Sequence, residues 1–473
     1  MTTTKKEPLT KTHIIGLCAM ALGVFVIAND FTAFAVALPH MERTFNTDVT
    51  TVQWVINGYA LVFGVLIITG GRLADMFGRR RIFFIGSAIF AGFSILGGLA
   101  PNIWLLLGAR FAMGVGGAMM WPAVLGMTYG LLPASRAAIA GAIIMTAAGF
   151  GNAVGPLIGG TLTDLLSWRW IFYLNLPVAA FGVAVTWWVI ARDTEGETDH
   201  RIDYGGVAAL SVALLSLLLA LDLGTGLGWS SPTTIALFAA SAAGLVAFVF
   251  VERGAGTKAL IPADVLENRA FFAAGLATLT MSAIFFAALL YLPQYMSKEL
   301  GFKAIESGAG LLPMMGTFAL TSFVAGPLYE RFGAKTIVSA GAAGLSAGMF
   351  LLSRIEPGTT YYELIPGMVV LGLGVGLFYS SITTAGITAL DAKRASLGGG
   401  IIYMFQVAGG AVGLGFNTAI VVSASKLADG IGTAFFVDAV LALVGLAIAV
   451  LFIGGRIGRH EFNALMHRHR AHG

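Results

Sequence analysis

Apolar runs of about twenty residues recur from one end of this chain to the other, and they constrain its fold more than any motif does. A helix rises about 1.5 Å per residue, so such a run crosses the roughly 30 Å hydrocarbon core of a bilayer. Fourteen runs are drawn in the 473 residues, at roughly 13–38, 52–71, 82–100, 103–131, 138–162, 170–191, 204–222, 233–251, 270–292, 307–328, 335–353, 362–389, 397–423 and 432–453. Backbone amides in lipid must be paired inside a helix or a closed barrel, and no period-two alternation supports a barrel. Charged residues make up 11% of the chain, against about 25% in soluble proteins. The expectation is an all-α integral membrane protein with fourteen transmembrane helices.

Lys and Arg orient the chain. With the N-terminus inside, 21 of the 28 Lys and Arg residues fall on inner segments and six on outer ones, while Arg110 lies within a span. Basic residues stay on the cytoplasmic side, so this bias supports a multi-pass protein with both termini cytoplasmic. The first run follows Lys5, Lys6 and Lys11, is too long for a signal-peptide core and lacks a small-residue cleavage site, so it is expected to remain as an anchor. The net charge of +4 is read as topological, and no nucleic-acid partner is expected.

Between the second and third runs stands Gly71-Arg72-Leu73-Ala74-Asp75-Met76-Phe77-Gly78-Arg79-Arg80-Arg81, read as a densely charged turn. It returns some 250 residues later, weaker, as Gly326-Pro327-Leu328-Tyr329-Glu330-Arg331-Phe332-Gly333-Ala334-Lys335. The copies join helices 2–3 and 10–11, which implies two related six-helix units with helices 7 and 8 inserted. The corresponding division is residues 1–191, an inserted segment 192–255 with its linker, and residues 256–473 ending in a basic tail.

Few charges lie inside helices. Asp30 in helix 1 and Arg110 in helix 4 both sit roughly 12–14 Å below the outer surface, where an acid and a base can neutralise one another if their helices face. Intramembrane ionisable residues are costly and commonly mark a transport pathway; a purely structural ion pair is the other reading. For Asp30 the functional role is proton carriage. Asp222 and Asp438 are placed near outer helix ends, where water is close. Gly151, Gly155 and Gly159 at four-residue spacing, with Pro156 and Gly160, give helix 5 a smooth face that another backbone can approach. Static packing and a moving contact both fit that face.

Other chemistries find no support. No Gly-x-x-x-x-Gly-Lys-Ser/Thr phosphate loop is present, so no ATP motor lies within this chain, and no His-Glu-x-x-His or paired-Cys metal motif occurs. The single Cys18 excludes an intramolecular disulfide. Gly372-Leu373-Gly374-Val375-Gly376 lies inside a span and reads as packing, and the histidines at 460, 467, 469 and 472 read as a solvated tail. No metal, no cofactor and no enzymatic activity are expected.

Together these residues resemble the major facilitator superfamily, and within it the fourteen-helix drug:proton antiporters. Gly71, Leu73, Asp75, Gly78, Arg79 and Arg80 match that family's motif between helices 2 and 3. Asp30, Thr32, Ala37, Leu38 and Pro39 match its helix-1 signature, Trp54, Tyr59 and Leu61 a helix-2 pattern, and Arg110, Gly114 and Gly116 its helix-4 motif. Gly151, Gly155, Pro156, Gly159 and Gly160 match the antiporter motif of helix 5, and Trp168 to Pro177 resembles a marker of the fourteen-helix group. Ala35, Met113 and Ala142 stand where the family often has Asn, Gln and Gly.

The resemblance implies two six-helix halves around a cavity that opens alternately to either side. It implies that Asp75 meets the positive end of a facing helix, or a neighbouring Arg, in one state only, with Gly71 and Gly78 permitting the turn and Arg79, Arg80 and Arg81 at the anionic inner surface. The expected function is proton-coupled antiport exporting lipophilic, neutral or monocationic small molecules, driven by the proton gradient in a bacterial plasma membrane. Asp30 and Arg110 would couple protons. Asn29, Asn57, Tyr59, Asn152, Met314, Met315, Phe318, Tyr379, Tyr403 and Gln406 would line the cavity. The chain is expected to act as a monomer among membrane lipids. Export of a native lipid, siderophore or metabolite, or proton-coupled uptake, remains an alternative on the same fold.

Overall fold

The computed structural model describes residues 10–47, 49–133, 136–191, 203–255 and 259–454; most of the first linker and the tail histidines lie outside them. Among the described residues fourteen helices are long and apolar enough to cross a membrane. They are α1 (Lys11–Ala33), α2 (Val49–Phe77), α3 (Arg79–Gly98), α4 (Ile103–Leu131), α5 (Ala137–Leu165), α6 (Arg169–Val189) and α7 (Tyr204–Leu227). Then follow α8 (Pro232–Ala255), α9 (Arg269–Lys298), α10 (Leu312–Phe332), α11 (Ala334–Leu352), α12 (Tyr361–Thr388), α13 (Ala395–Ser423) and α14 (Leu427–Phe452). Side-chain caps begin several of them: Asn102 accepts from the Leu105 amide, Asp203 from Gly206 and Asn268 from Phe271.

The Gly71–Arg81 stretch is not a turn. Helix α2 runs through the charged residues to Phe77 and α3 begins at Arg79, so the whole break is Gly78, with φ of 99°. Polar residues interrupt hydropathy without interrupting helical geometry; a left-handed backbone does interrupt it, and glycine adopts that conformation without steric cost. The second copy behaves alike, with α10 passing into α11 at Gly333, φ 86°. Gly71 lies inside the helix and serves close approach instead: a Cβ there would stand 2.7 Å from the Ser396 carbonyl oxygen of α13.

Packing is repeated along the chain. In the first six helices α4 packs on α2 and α3, α1 on α5 and α6, and α3 on α6. In the last six, α12 packs on α10 and α11, α9 on α13 and α14, and α11 on α14. Two seams join these groups, α5 against α10 and α12, and α13 against α2 and α4. Helices α7 and α8 pack on one another, and α7 lies against both α2 and α13, with Leu218 beside Gly64. Asp75 and Arg79, followed by Arg80 and Arg81, mark the basic end of the bundle.

Candidate functional site

Asp30 and Arg110 meet. Both side chains are fully buried, and Arg110 Nη1 donates to Asp30 Oδ2 at 2.5 Å. Arg110 Nε donates to the Val55 carbonyl at 2.6 Å, and its guanidinium lies between the rings of Phe34 and Tyr59, 4.5 and 4.4 Å from their centroids. Asp30 lies three residues before the end of α1, which tightens into a 3-10 turn over Phe34–Val36. The carboxylate therefore sits nearer the end of its helix than a straight run to Pro39 implies.

Two polar residues that the sequence analysis did not place at this site complete it. Asn175 of α6 donates to Asp30 Oδ1 at 2.9 Å and reaches Ser94 Oγ of α3 at 3.3 Å, while Ser94 donates to the Phe172 carbonyl at 2.8 Å. Asn175 falls inside the Trp168–Pro177 motif, which was the only signal available for it. Four helices thus hold one carboxylate by a cation and an amide. Arg110 Nη2, Tyr59 Oη and Asn29 Oδ1 are buried without hydrogen-bond partners, and Met113 offers the guanidinium only a thioether, 4.0 Å from Nη1.

The second arrangement closes the basic end. The Asp75 side chain is 2% exposed and accepts from the Ser396 amide at 3.3 Å and the Leu397 amide at 2.8 Å, in the first turn of α13. Those amides have no intrahelical partner and carry the positive end of the helix dipole, so a carboxylate binds them well. Arg79 pairs with Asp75 at 3.0 Å and donates to the carbonyls of Gly126 at 2.9 Å and Ala392 at 2.7 Å, tying α4 and the approach to α13 into the same knot. Nearby, Tyr129 and Thr384 share a hydrogen bond of 3.0 Å between α4 and α12. Arg80 is not at the surface: it is buried, donates to the Trp187 and Ile190 carbonyls ending α6, and lies over Phe84 and Trp187. Arg81 is exposed.

The helix-5 motif divides its work. Gly151 and Gly155 face α1 around Ala28 and Thr32, and a Cβ on Gly159 would overlap the Ala33 carbonyl. Pro156 and Gly160 look across the seam to Gly308 and Ile305. The candidate lining residues form two groups rather than one. Tyr59 packs edge-on to Phe31, and Phe63 of α2 and Trp121 of α4 contact Tyr403 of α13, at 5.4 and 4.3 Å between centroids. Tyr379 is buried with its hydroxyl on Ser282 at 2.7 Å, and Phe285 joins it to Phe318, which faces Gly149 across the seam. Met314 and Met315 are buried on α10, with the Met314 backbone against Gly372 of α12, so they pack within their own half. Asn57, Asn152 and Gln406 are half-buried, and the Asn152 carbonyl accepts from Thr32.

Asp438 corrects the placement near a helix end. Helix α14 begins at Leu427, five residues before the apolar run, so Asp438 is about 16 Å along it and is fully buried. The Asp222 side chain lies outside the described residues.

The sequence pattern of the Major Facilitator Superfamily matches residues 20–413 and, again, 270–467. The chain belongs to this superfamily. As a major facilitator it is a multi-pass membrane transporter and not an enzyme. It is 32% identical over 409 residues to the multidrug resistance protein Stp of Mycobacterium tuberculosis strain H37Rv, covering 86% of this chain and 75% of that protein. It is 31% identical to the puromycin resistance protein of Streptomyces alboniger (93% and 88% covered) and 30% identical to the tetracenomycin C resistance and export protein of Streptomyces glaucescens (87% and 76%). The human organic anion transporter MFSD10 (TETRAN) shares the fold, with a TM-score of 0.68 at 13% identity over 94% of this major facilitator and 100% of that chain.

Proposed function

We propose that this major facilitator is a proton-coupled antiporter that exports lipophilic, neutral or monocationic small molecules by alternating access from a bacterial plasma membrane. The observation that carries the reading is the sealed Asp30–Arg110 pair. A charge pair at hydrocarbon depth holds only while both members are ionised; a proton on Asp30 removes the attraction to Arg110 and frees α1 and α4 to shift. The Arg110 guanidinium touches Tyr59, whose neighbour Phe63 meets Tyr403 across the seam, so the pair is linked by packed rings to the surface between the halves.

The basic end faces the cytoplasm in this reading, and the Asp75 and Arg79 contacts define the inward-closed conformation. The names of the antibiotic resistance relatives support export, and the aromatic residues at the seam, Phe63, Trp121, Tyr403 and Phe318, suit loose apolar recognition. The test is transport in proteoliposomes carrying the purified protein and a fluorescent lipophilic dye. An imposed pH gradient is expected to drive dye against its concentration difference, and a protonophore to stop it. Flux that ignores both would overturn proton coupling. Transport of an extracted native lipid but of no dye would favour the alternative cargo.

A further inference from the structure

Asp438 is the second fully buried carboxylate of this protein with a described side chain in a membrane helix interior, and its surroundings are unlike those of Asp30. The side chain that hydrogen-bonds it is neutral: Asn417 Nδ2 of α13 donates to Asp438 Oδ1 at 3.1 Å and to the Gly413 carbonyl at 2.9 Å. That uses both hydrogens of the Asn417 amide. Two acceptors on these side chains, Asp438 Oδ2 and Asn417 Oδ1, are buried with no partner.

The helices packed around Asp438 bring no cation to it. Helix α14 lies on α9, α11 and α13. Arg269 and Lys298 sit at the two ends of α9, Lys335 is the second residue of α11, and α13 holds no charged residue. From α9, Tyr291 is the ionisable group that faces Asp438, with its hydroxyl shared with Thr418 of α13 at 2.6 Å. Tyr295, one turn further on, is bonded to the Glu356 and Thr359 carbonyls, and Tyr403 of α13 stacks on Trp121. From α11, Ser346 donates to the Ala439 carbonyl, and α14 itself adds Asp429 in its first turn.

An isolated carboxylate in such a place costs several kcal/mol, whereas a neutral carboxyl costs far less. One proton on Oδ2 also turns a lone acceptor into a donor, and the unpartnered Asn417 Oδ1 belongs to the side chain that already holds Oδ1. We propose that Asp438, paired with Asn417, is a second proton-binding site of the transport cycle, loaded in this conformation closed at the basic end. Its use in transport rests on the proton-coupled export reading; its protonation does not. Helix α14 is the sixth of the last six, as α6 with Asn175 is the sixth of the first, so the second half would carry a proton of its own.

The test combines infrared spectroscopy and flux on the full-length protein in liposomes. At neutral pH the wild type is expected to show a protonated-carboxyl stretch that persists in Asp30→Asn and vanishes in Asp438→Asn, a near-isostere of the neutral acid. In Asn417→Leu the band should remain and move to higher frequency, because the amide contact is gone. Identical carboxyl bands in wild type and Asp438→Asn would overturn the site. The ratio of protons to dye, read from the gradient at which flux reverses, should fall by one in Asp438→Asn. An unchanged ratio with the band lost would overturn its place in the cycle and leave a permanently neutral acid. A wild type without gradient-driven flux would overturn the export reading and, with it, that place, while the infrared comparison alone would still decide whether Asp438 holds a proton.

Discussion

Among residues, Arg110 has the most to lose. It neutralises Asp30, bonds the Val55 carbonyl and is clasped by two rings, with its side chain fully buried. Removing one partner of a buried pair costs about 3–5 kcal/mol, because the other charge is left in apolar surroundings. Arg110→Ala is therefore expected to lower the melting midpoint of the detergent-solubilised protein, and Asp30→Asn added to it to recover part of the loss. Strictly additive losses would mean that the two side chains do not interact. The pair itself was legible in the sequence, since two charges at one depth in apolar helices have few other ways to be neutralised. Asn175 and Ser94 were not, because a neutral polar residue leaves hydropathy nearly unchanged and only the fold says which way it faces. Asp438 was misplaced for a related reason: the apolar run begins five residues after its helix does.

Among elements, the α2–α3 corner matters most, and here the sequence conveyed the right residues in the wrong conformation. Asp75 and Arg79 do meet a helix start and its neighbours, but from within α2 and α3, and Gly71 acts by closeness to α13 rather than by turning. A carboxylate at a helix N-terminus contributes about 0.3–2 kcal/mol, so Asp75→Asn should shift the balance between closed and open basic ends by roughly two- to thirtyfold. The shift can be read from the thiol-labelling rate of Leu125→Cys in a Cys18→Ser background, since Leu125 is buried at this seam beside Gly399 and Cys18 is exposed. A rate unchanged by Asp75→Asn would remove the latch. Beyond the spans, Arg394 beside Asp264 holds its carboxyl below the usual carboxylate range. A group lowered by folding stabilises the protein above its ordinary pKa, and that contribution is lost as pH falls through the lowered value. The Asp264 side chain is 69% exposed, so solvent screening keeps the effect under about 1 kcal/mol, and Asp264→Asn should change acid-side melting little.

At the scale of the molecule, two helix groups with the same internal packing meet along two seams, and both are closed at the basic end: α13 against α2 and α4 by the Asp75 knot, and α5 against α10 and α12 by the close approach of Gly326 to Ala138 and of Gly141 to Thr384, with the Tyr129–Thr384 bond between them. If transport requires this end to open, tying it shut must stop transport. A Cβ placed on Gly399 would stand 3.2 Å from that of Leu125, close to the roughly 3.5–4.5 Å of a disulfide. The pair Leu125→Cys with Gly399→Cys, again without Cys18, is expected to cross-link on oxidation, to lose dye flux, and to regain it on reduction. Full flux in the cross-linked protein would mean that this seam does not move. The repeated motif points to the same two groups of six helices that share this packing, whereas the position of α7 against both α2 and α13 had no sequence signal, because an apolar helix shows equal preference for lipid and for either group.

Asp30→Asn offers the most direct test of the central claim, that Asp30 carries the coupling proton. In proteoliposomes with dye on both sides, the variant is expected to exchange labelled for unlabelled dye at close to the wild-type rate, because alternating access survives a neutral carboxamide. With Asp438 still able to load its own proton, the variant is expected to show weakened uphill flux under an imposed pH gradient, with the ratio of protons to dye lower by one than in the wild type. Undiminished gradient-driven flux in Asp30→Asn would contradict the account.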